Sequence, residues 1–147
     1  MDKLKIDHFV REHPADGFPA FRSLTAIDTA LIRQNVARAL GLALIPDAGS
    51  LLEILGDRQK VLDRPNAEAT GFDLKACLHS LGISPSDRVF INWHRFDEID
   101  EMNVDDLSTY FASIWYPSSD DIDIFDGKYS WILSVRHDGV LSVLRLN

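Results

Sequence analysis

The sequence has only one cysteine, Cys77, among its 147 residues, and it has no long hydrophobic run. A single thiol cannot form an intramolecular disulfide, so we expect Cys77 to be a buried side chain of a helix around residues 74–78. No segment approaches the roughly 18 consecutive apolar residues of a membrane span. The first residues, MDKLKIDHFVREH, mix charged and apolar side chains and lack a signal-peptide core. We therefore expect a cytoplasmic protein with no membrane partner.

Lysine and arginine are missing from residues 96–127, where the acidic residues are concentrated. The ten acids there give the segment a charge of −10, which leaves +2 for the rest of a chain whose net charge is −8. They are Asp97, Glu98, Asp100, Glu101, Asp105, Asp106, Asp120, Asp121, Asp123 and Asp126. Nucleic-acid binding requires basic side chains that neutralise phosphates, so this distribution argues against it. A basic protein partner is favoured instead.

Motifs of cofactor and nucleotide binding are also missing. The chain has no glycine-rich phosphate loop and no Gly-x-Ser-x-Gly elbow. His8, His13 and His79 do not have the spacing of zinc ligands. We therefore predict no cofactor and no metal.

The order of patterns predicts an α+β fold in one domain, residues 1–147. Helices are predicted at 3–12, from a Thr25 cap to Gly41, from Leu51 to before Pro65, and from about Phe72 to Leu81. After Pro85 a strand at 89–93, a helix at 104–114 and strands at 122–125, 129–136 and 140–146 are expected. The helical N-terminal half should pack on one side of an antiparallel sheet that ends in a C-terminal β-hairpin.

Asp138-Gly139 between two apolar runs is a strong hairpin signal. With these two residues as the turn, Leu133 should face Leu144, and Val135 should face Ser142.

The stretch SSDDIDIFDG, residues 118–127, is dense in carboxylates, and calcium binding is the first hypothesis. An EF-hand loop beginning at Asp121 needs an acid or Asn at its fifth position, Gly at its sixth and Glu at its twelfth. Phe125, Asp126 and Ile132 occupy those positions, so the pattern fails. A strand with Ile122 and Ile124 facing the core explains the stretch better. In that strand Asp121 and Asp123 should point outward as a charged edge.

Two other classes of function remain open. A small hydrolase or metal-dependent enzyme would use the cluster from Asp120 to Asp126 with His94 or His137, which requires one histidine and two aspartates to converge in a cleft. The other alternative to a protein that binds a basic partner is a scaffold domain without a basic target.

Aromatic residues precede the aspartate cluster. Trp115 ends an apolar helix and is expected in the core, whereas Tyr116 is the better candidate for an interface anchor.

The segment IWYPSSDDIDIFDGKYSWILSVRHDGVLSVLRL, residues 114–146, resembles the C-terminal part of small acidic bacterial immunity proteins of polymorphic-toxin systems. The resemblance implies a non-enzymatic binding protein that neutralises a toxin, often a basic nuclease, by covering its active site or substrate groove. No catalytic residue carries over. The predicted partner-binding residues are Asp97, Glu98, Asp100, Glu101, Tyr116, Asp120, Asp121, Asp123 and Asp126.

Overall fold

Short polar side chains begin most of the helices. In a computed structural model that describes residues 1–146, side-chain oxygens accept hydrogen bonds from free backbone N–H groups at five helix starts. These capping residues are Asp2, Thr25, Asp47, Asp73 and Asn103. The helices are α1 (Lys3–Glu12), α2 (Ala26–Ala39), α3 (Ala48–Arg58), α4 (Leu74–Ser80), α5 (Val104–Thr109) and α6 (Phe111–Ile114). Three of the five predicted helices are located within about two residues at each end, the predicted helix from Leu51 to before Pro65 is shorter than expected, and the predicted helix at 104–114 is split.

Three helix boundaries differ from the prediction. Helix α3 ends at Arg58 instead of continuing to Pro65, because Gln59 is extended and residues 60–61 pair with residues 142–143 as a strand. Helix α3 begins three residues before the predicted Leu51, because Asp47 rather than Ser50 caps it by accepting from the Ser50 N–H. The predicted helix 104–114 is interrupted at Tyr110, whose backbone leaves the helical region at φ −108° and ψ 25°. Cys77 is buried in α4 as expected, and burial raises the pKa of its thiol.

Seven strands form one antiparallel sheet within the described residues, which confirms the α+β class. They are β1 (Phe21–Ser23), β2 (Lys60–Val61), β3 (Arg88–Asn92), β4 (Ile99–Asn103), β5 (Ile122–Asp126), β6 (Trp131–Val135) and β7 (Leu141–Arg145). Their order across the sheet is β1-β4-β3-β5-β6-β7-β2. Strands β1, β2 and β4 were not predicted, and β4 lies inside the acidic segment.

The C-terminal hairpin is confirmed, but its predicted register is wrong by one residue. Val135 faces Leu141, and Leu133 faces Val143. The loop has three residues instead of two, since the N–H of Arg136 donates to the carbonyl of Val140 at 3.0 Å. Gly139 takes the left-handed conformation at φ 78°, as the last position of such a loop requires.

Helices cover both faces of the sheet, so the prediction of helices on one side is wrong. One face packs against α4, α5 and α6, and its strand residues include Ile122, Ile124 and Leu133. The opposite face packs against α2 and α3 and includes Phe125 and Ile132. All residues of β5 and β6 are buried, as is typical of strands covered on both sides.

Candidate functional site: an acidic cavity beside α1

Helix α1 places a lysine against the segment that precedes β5. The Lys5 side chain is buried, and its ammonium group pairs with the carboxylate of Asp120. The same ammonium lies 3.8 Å from the centre of the Tyr116 ring and 5.3 Å from the centre of the Trp93 ring. Aromatic faces attract cations, so Lys5 holds α1, Trp93 and Tyr116 together.

A cavity of about 190 Å³ opens next to this contact. We call it the acidic cavity, and its lining consists of Asp2, Lys5, Trp93, Glu98, Ser119, Asp120 and Asp121. Four carboxylates face one ammonium, which leaves an excess of negative charge. Burial and then the charges of Glu12, Asp120 and Asp2 raise the pKa of Tyr116, as expected for an aromatic hydroxyl in a negative field.

The structure divides the nine predicted partner-binding residues into three groups. Asp97 and Glu98 are exposed, Glu101, Tyr116, Asp120 and Asp121 are partly exposed, and Asp100, Asp123 and Asp126 are buried. The last three have no surface with which to touch a partner, so they leave the predicted contact set. Ion pairs offset part of the remaining charge, as between Asp97 and Arg95 at 3.0 Å and between Glu101 and Arg22 at 2.9 Å.

Asp123 lies inside the sheet, and the prediction that it points outward is wrong. Its face of β5 is covered by the helices α2 and α3, which the one-sided arrangement did not foresee. Its carboxylate accepts hydrogen bonds from Ser134 Oγ at 2.5 Å and from Asn92 Nδ2 at 2.9 Å. The Arg136 guanidinium lies 3.4 Å away and supplies the opposite charge. Burial alone would raise the pKa of Asp123, but His94, Arg136 and Ser134 outweigh it and hold that pKa below its usual value.

Asn92 connects buried Asp123 to the rim of the acidic cavity. Its side-chain oxygen accepts from the backbone N–H groups of Phe96 at 2.8 Å and Arg95 at 3.3 Å. These bonds fix the loop between β3 and β4, where His94 and Phe96 adopt positive φ angles of 59° and 56°. Trp93 and Glu98 flank this loop and line the cavity. Asp123 therefore stabilises the cavity wall indirectly, through Asn92 and the loop that Asn92 holds.

The other two buried carboxylates are also fully engaged. Asp126 accepts from the backbone N–H groups of Ser86 at 2.8 Å and Lys128 at 3.1 Å. Asp100 accepts from Trp93 Nε1 at 2.8 Å and Ser23 Oγ at 2.5 Å. Asp126 therefore links β5 to the segments before β3 and after β5, and Asp100 links β4 to β1 and to the loop after β3.

The two histidines of the enzyme hypothesis contact different carboxylates. His94 Nδ1 lies 3.3 Å from Asp123, and His137 Nδ1 lies 3.0 Å from Asp121. Neither histidine lines the acidic cavity. Within residues 1–146 no three His, Cys, Asp or Glu side chains are grouped to hold a metal ion. The convergence of one histidine with two aspartates that the hypothesis requires is not found at this cavity.

A larger depression of about 560 Å³ is bordered by Trp115 and Pro117, and we call it the groove. Its walls are the loop at residues 67–72 and the helices α5 and α6. The residues concerned are Ala67, Glu68, Ala69, Thr70, Gly71, Phe72, Ser108, Thr109, Phe111, Ala112, Trp115 and Pro117. Trp115 is otherwise buried, which confirms its predicted core position.

No family model, curated protein or solved structure matches this chain. In the part of the chain that the structure describes, no helix has both the length and the apolar character needed to cross a membrane.

Asp2, Lys5 and Trp93 belong to the site although the sequence did not single them out. In α1 the apolar residues Leu4 and Val10 are exposed, while Lys5 and Phe9 are buried. Lys5 and Phe9 are four residues apart and so share one helix face. A lysine is almost never fully buried unless it is paired, and its partner Asp120 is distant in sequence, so no local pattern marks it.

Proposed function

We propose that this protein is a non-enzymatic binding domain for a basic protein, and more specifically an immunity-type inhibitor of a nuclease-like toxin. The observation that supports the proposal best is that two acidic segments, residues 97–101 and residues 120–126, contribute carboxylates to one cavity. Glu98 comes from the first segment, Asp120 and Asp121 come from the second, and Asp2 adds a fourth carboxylate. A surface of this sign attracts lysine and arginine side chains.

The physical logic of inhibition follows from what a nuclease binds. A groove that accepts nucleic-acid phosphates is lined by basic residues, and a carboxylate surface of matching shape competes for them. Exposed charges act mainly on the rate of encounter, whereas buried aromatic anchors act on dissociation. Glu98 and Asp121 belong to the first kind of residue, and Tyr116 belongs to the second.

The test uses a charge variant and a control with the same change in net charge. The variant is Glu98→Lys with Asp121→Asn, where the amide oxygen can still accept from the His137 N–H that now lies 2.8 Å from Asp121. The control is Glu53→Lys with Asp57→Asn on the exposed side of α3. A partner is captured from a lysate of the native host on the unmodified protein, purified, and its association rate is measured at low and physiological salt.

We expect a basic partner, an association rate about tenfold slower for the variant than for the control, and a weaker salt dependence. The immunity role further requires that equimolar protein stops the partner's cleavage of DNA or RNA. An acidic partner, or equal rates for variant and control, contradicts the proposal. Failure to retain any basic protein favours the scaffold hypothesis.

A further inference from the structure

His94 contacts two groups of opposite charge through a single ring nitrogen. Its Nδ1 atom lies 3.3 Å from the carboxylate of Asp123 and 3.0 Å from a guanidinium nitrogen of Arg136. Asp123 is completely buried, whereas His94 and Arg136 are partly exposed. The imidazole can therefore exchange protons with water while it stays in contact with a buried charge.

The two contacts of Nδ1 cannot both be hydrogen bonds at the same time. The nitrogen accepts from Arg136 only when it carries no proton, and it donates to Asp123 only when it carries one. When the ring is neutral and accepts from Arg136, the guanidinium also pairs with Asp123 at 3.4 Å. When the ring is doubly protonated, two cations lie 3.0 Å apart and repel each other. Protonation of His94 therefore favours a rearrangement in which one of the two cations leaves Asp123.

Arg136 is the cation that is free to move. The backbone on both sides of His94 is held by Asn92, through the bonds to the loop between β3 and β4 described above. Arg136 directly follows β6 and reaches Asp123 with a long, partly exposed side chain. The other charged residues of the His94 loop are Arg95, Asp97 and Glu98. Within residues 1–146, no charged side chain of α2 or α3 pairs with His94, Asp123 or Arg136.

Asp121 lies beside Arg136 and also lines the acidic cavity. Asp123 pairs with Ser134, and two residues further along the ladder Asp121 comes opposite Arg136 on the same face of the sheet. Burial alone would raise the pKa of Asp121, but hydrogen bonds from His137 and the charge of Arg136 lower it. Arg136 therefore already acts on one carboxylate of the cavity, and it acts more strongly once it is released from Asp123.

From this geometry we propose that His94 is a pH-sensitive switch for the acidic cavity: when His94 gains a proton, Arg136 leaves Asp123 for Asp121 and makes the cavity less negative. The inference rests on the proposed function, because the regulated property is the attraction of the cavity for a basic partner. Histidine is the side chain that changes its charge between about pH 5 and 8. The protein then binds its partner more weakly in mildly acidic than in neutral solution.

Nuclear magnetic resonance of the isotope-labelled full chain tests the switch without a partner. The imidazole signals of His94 report its protonation, the Nε–H signal of Arg136 reports its hydrogen bonding, and the side-chain carboxyl signal of Asp121 reports the arrival of a cation. We expect all three to change with one shared midpoint between about pH 5 and 8. An Arg136 signal that ignores the titration of His94 overturns the inference.

A short polyarginine peptide then measures the charge of the cavity. We expect its affinity, measured by calorimetry, to be about fivefold lower at about pH 5.5 than at about pH 7.5. In His94→Asn this difference should disappear, because asparagine tolerates the positive φ of 59° and its side-chain oxygen can accept from Arg136 at either pH. The matched control is His137→Asn, since His137 contacts Asp121 directly at 3.0 Å, and it should keep most of the difference.

The outcomes separate the inference from the proposed function. If the pH difference persists in His94→Asn and disappears in His137→Asn, it belongs to His137 and the inference is wrong. If it persists in both variants, other groups cause it and the inference is also wrong. If polyarginine binds the unmodified protein and the Glu98→Lys, Asp121→Asn variant equally at neutral pH, the proposed function fails, while the Arg136 signal still shows whether the switch operates.

Discussion

The hydroxyl of Ser134 lies 2.5 Å from the carboxylate of Asp123 on the neighbouring strand, and both residues are completely buried. Asn92 and Ser142 continue the same row across β3 and β7. We call these four residues the polar row. It crosses the centre of the sheet on the side covered by α2 and α3, where apolar residues would otherwise be expected.

Replacing Asp123 should strongly destabilise the fold. Asp123→Leu leaves Asn92, Ser134 and Arg136 without their shared partner, and removal of one member of a buried ion pair costs about 3–5 kcal/mol. The free energy of unfolding, measured by urea titration, should fall by that amount. Asp97→Leu is the control, because Asp97 is exposed and its change should stay within about 0.5 kcal/mol. Equal losses in the two variants would refute the structural role of Asp123.

The stability of the protein should fall in acid partly through Asp123. Its folded pKa is lowered, so the charged form is favoured by folding. The resulting stability is present above the unfolded pKa of about 3.9 and is lost as the pH falls through the folded value. Unfolding free energies measured from pH 6 down to about pH 2 should therefore decline more steeply below about pH 4 for the unmodified protein than for Asp123→Asn. Parallel curves would show that Asp123 does not contribute.

Gly139 should resist substitution for two separable reasons. A residue with a side chain would have to keep the left-handed backbone conformation of Gly139, and its Cβ would clash with the side-chain oxygen of Asn66. Gly71 has a similar φ of 77° with nothing near its Cβ, so Gly71→Ala measures the backbone cost alone, about 1 kcal/mol. Gly139→Ala should cost more than this control. Adding Asn66→Gly should recover the excess, and a strictly additive double variant would disprove the steric contribution.

The aspartates of residues 120–126 should not form a dedicated calcium site. Asp123 and Asp126 are buried and engaged by neighbouring N–H and O–H donors, while Asp120 pairs with Lys5. Calorimetric titration with calcium, magnesium or manganese should detect no binding tighter than about the millimolar range. Micromolar affinity that is lost in Asp121→Asn would contradict this prediction.

Truncation of Tyr116 should accelerate dissociation of the partner. Its ring is an interface anchor in the proposed complex, and loss of such an anchor costs about 2 kcal/mol or more. Tyr116→Ala should raise the dissociation rate accordingly, while Tyr116→Phe keeps the ring over Lys5 and should change it little. Thermal unfolding of the free variants separates this effect from damage to the Lys5 contact. A dissociation rate that is unchanged in Tyr116→Ala would exclude Tyr116 as an anchor.

Local patterns predicted the parts of the fold that local interactions determine. Capping by Thr25 and the Asp138-Gly139 turn located α2 and the C-terminal hairpin, because both depend on neighbours in the chain. Strand β4 was missed because its sequence, Ile-Asp-Glu-Met-Asn, is rich in residues that disfavour strands. Its pairing with β1 and β3 stabilises it through tertiary contacts instead.

The candidate site was predictable only in part. Glu98, Asp120 and Asp121 were identified from charge, but charge alone does not distinguish a surface carboxylate from a buried one. Asp123 is buried because donors from three other strands or loops converge on it, and those donors are distant in sequence. The contribution of α1 depends on the same kind of long-range contact, between Lys5 and Asp120.

The polar row has a consequence for how the strands find their alignment during folding. Shifting β5 by one residue against β3 would turn Asp123 to the opposite face of the sheet, where Leu107 and Ile114 pack. A carboxylate placed there would lose Asn92 and Ser134 and be left charged among apolar side chains, a cost of several kcal/mol. The misaligned sheet is penalised as soon as the helices of that face pack onto it, so one buried aspartate selects the strand alignment that brings residues 97–101 and 120–126 to the same cavity.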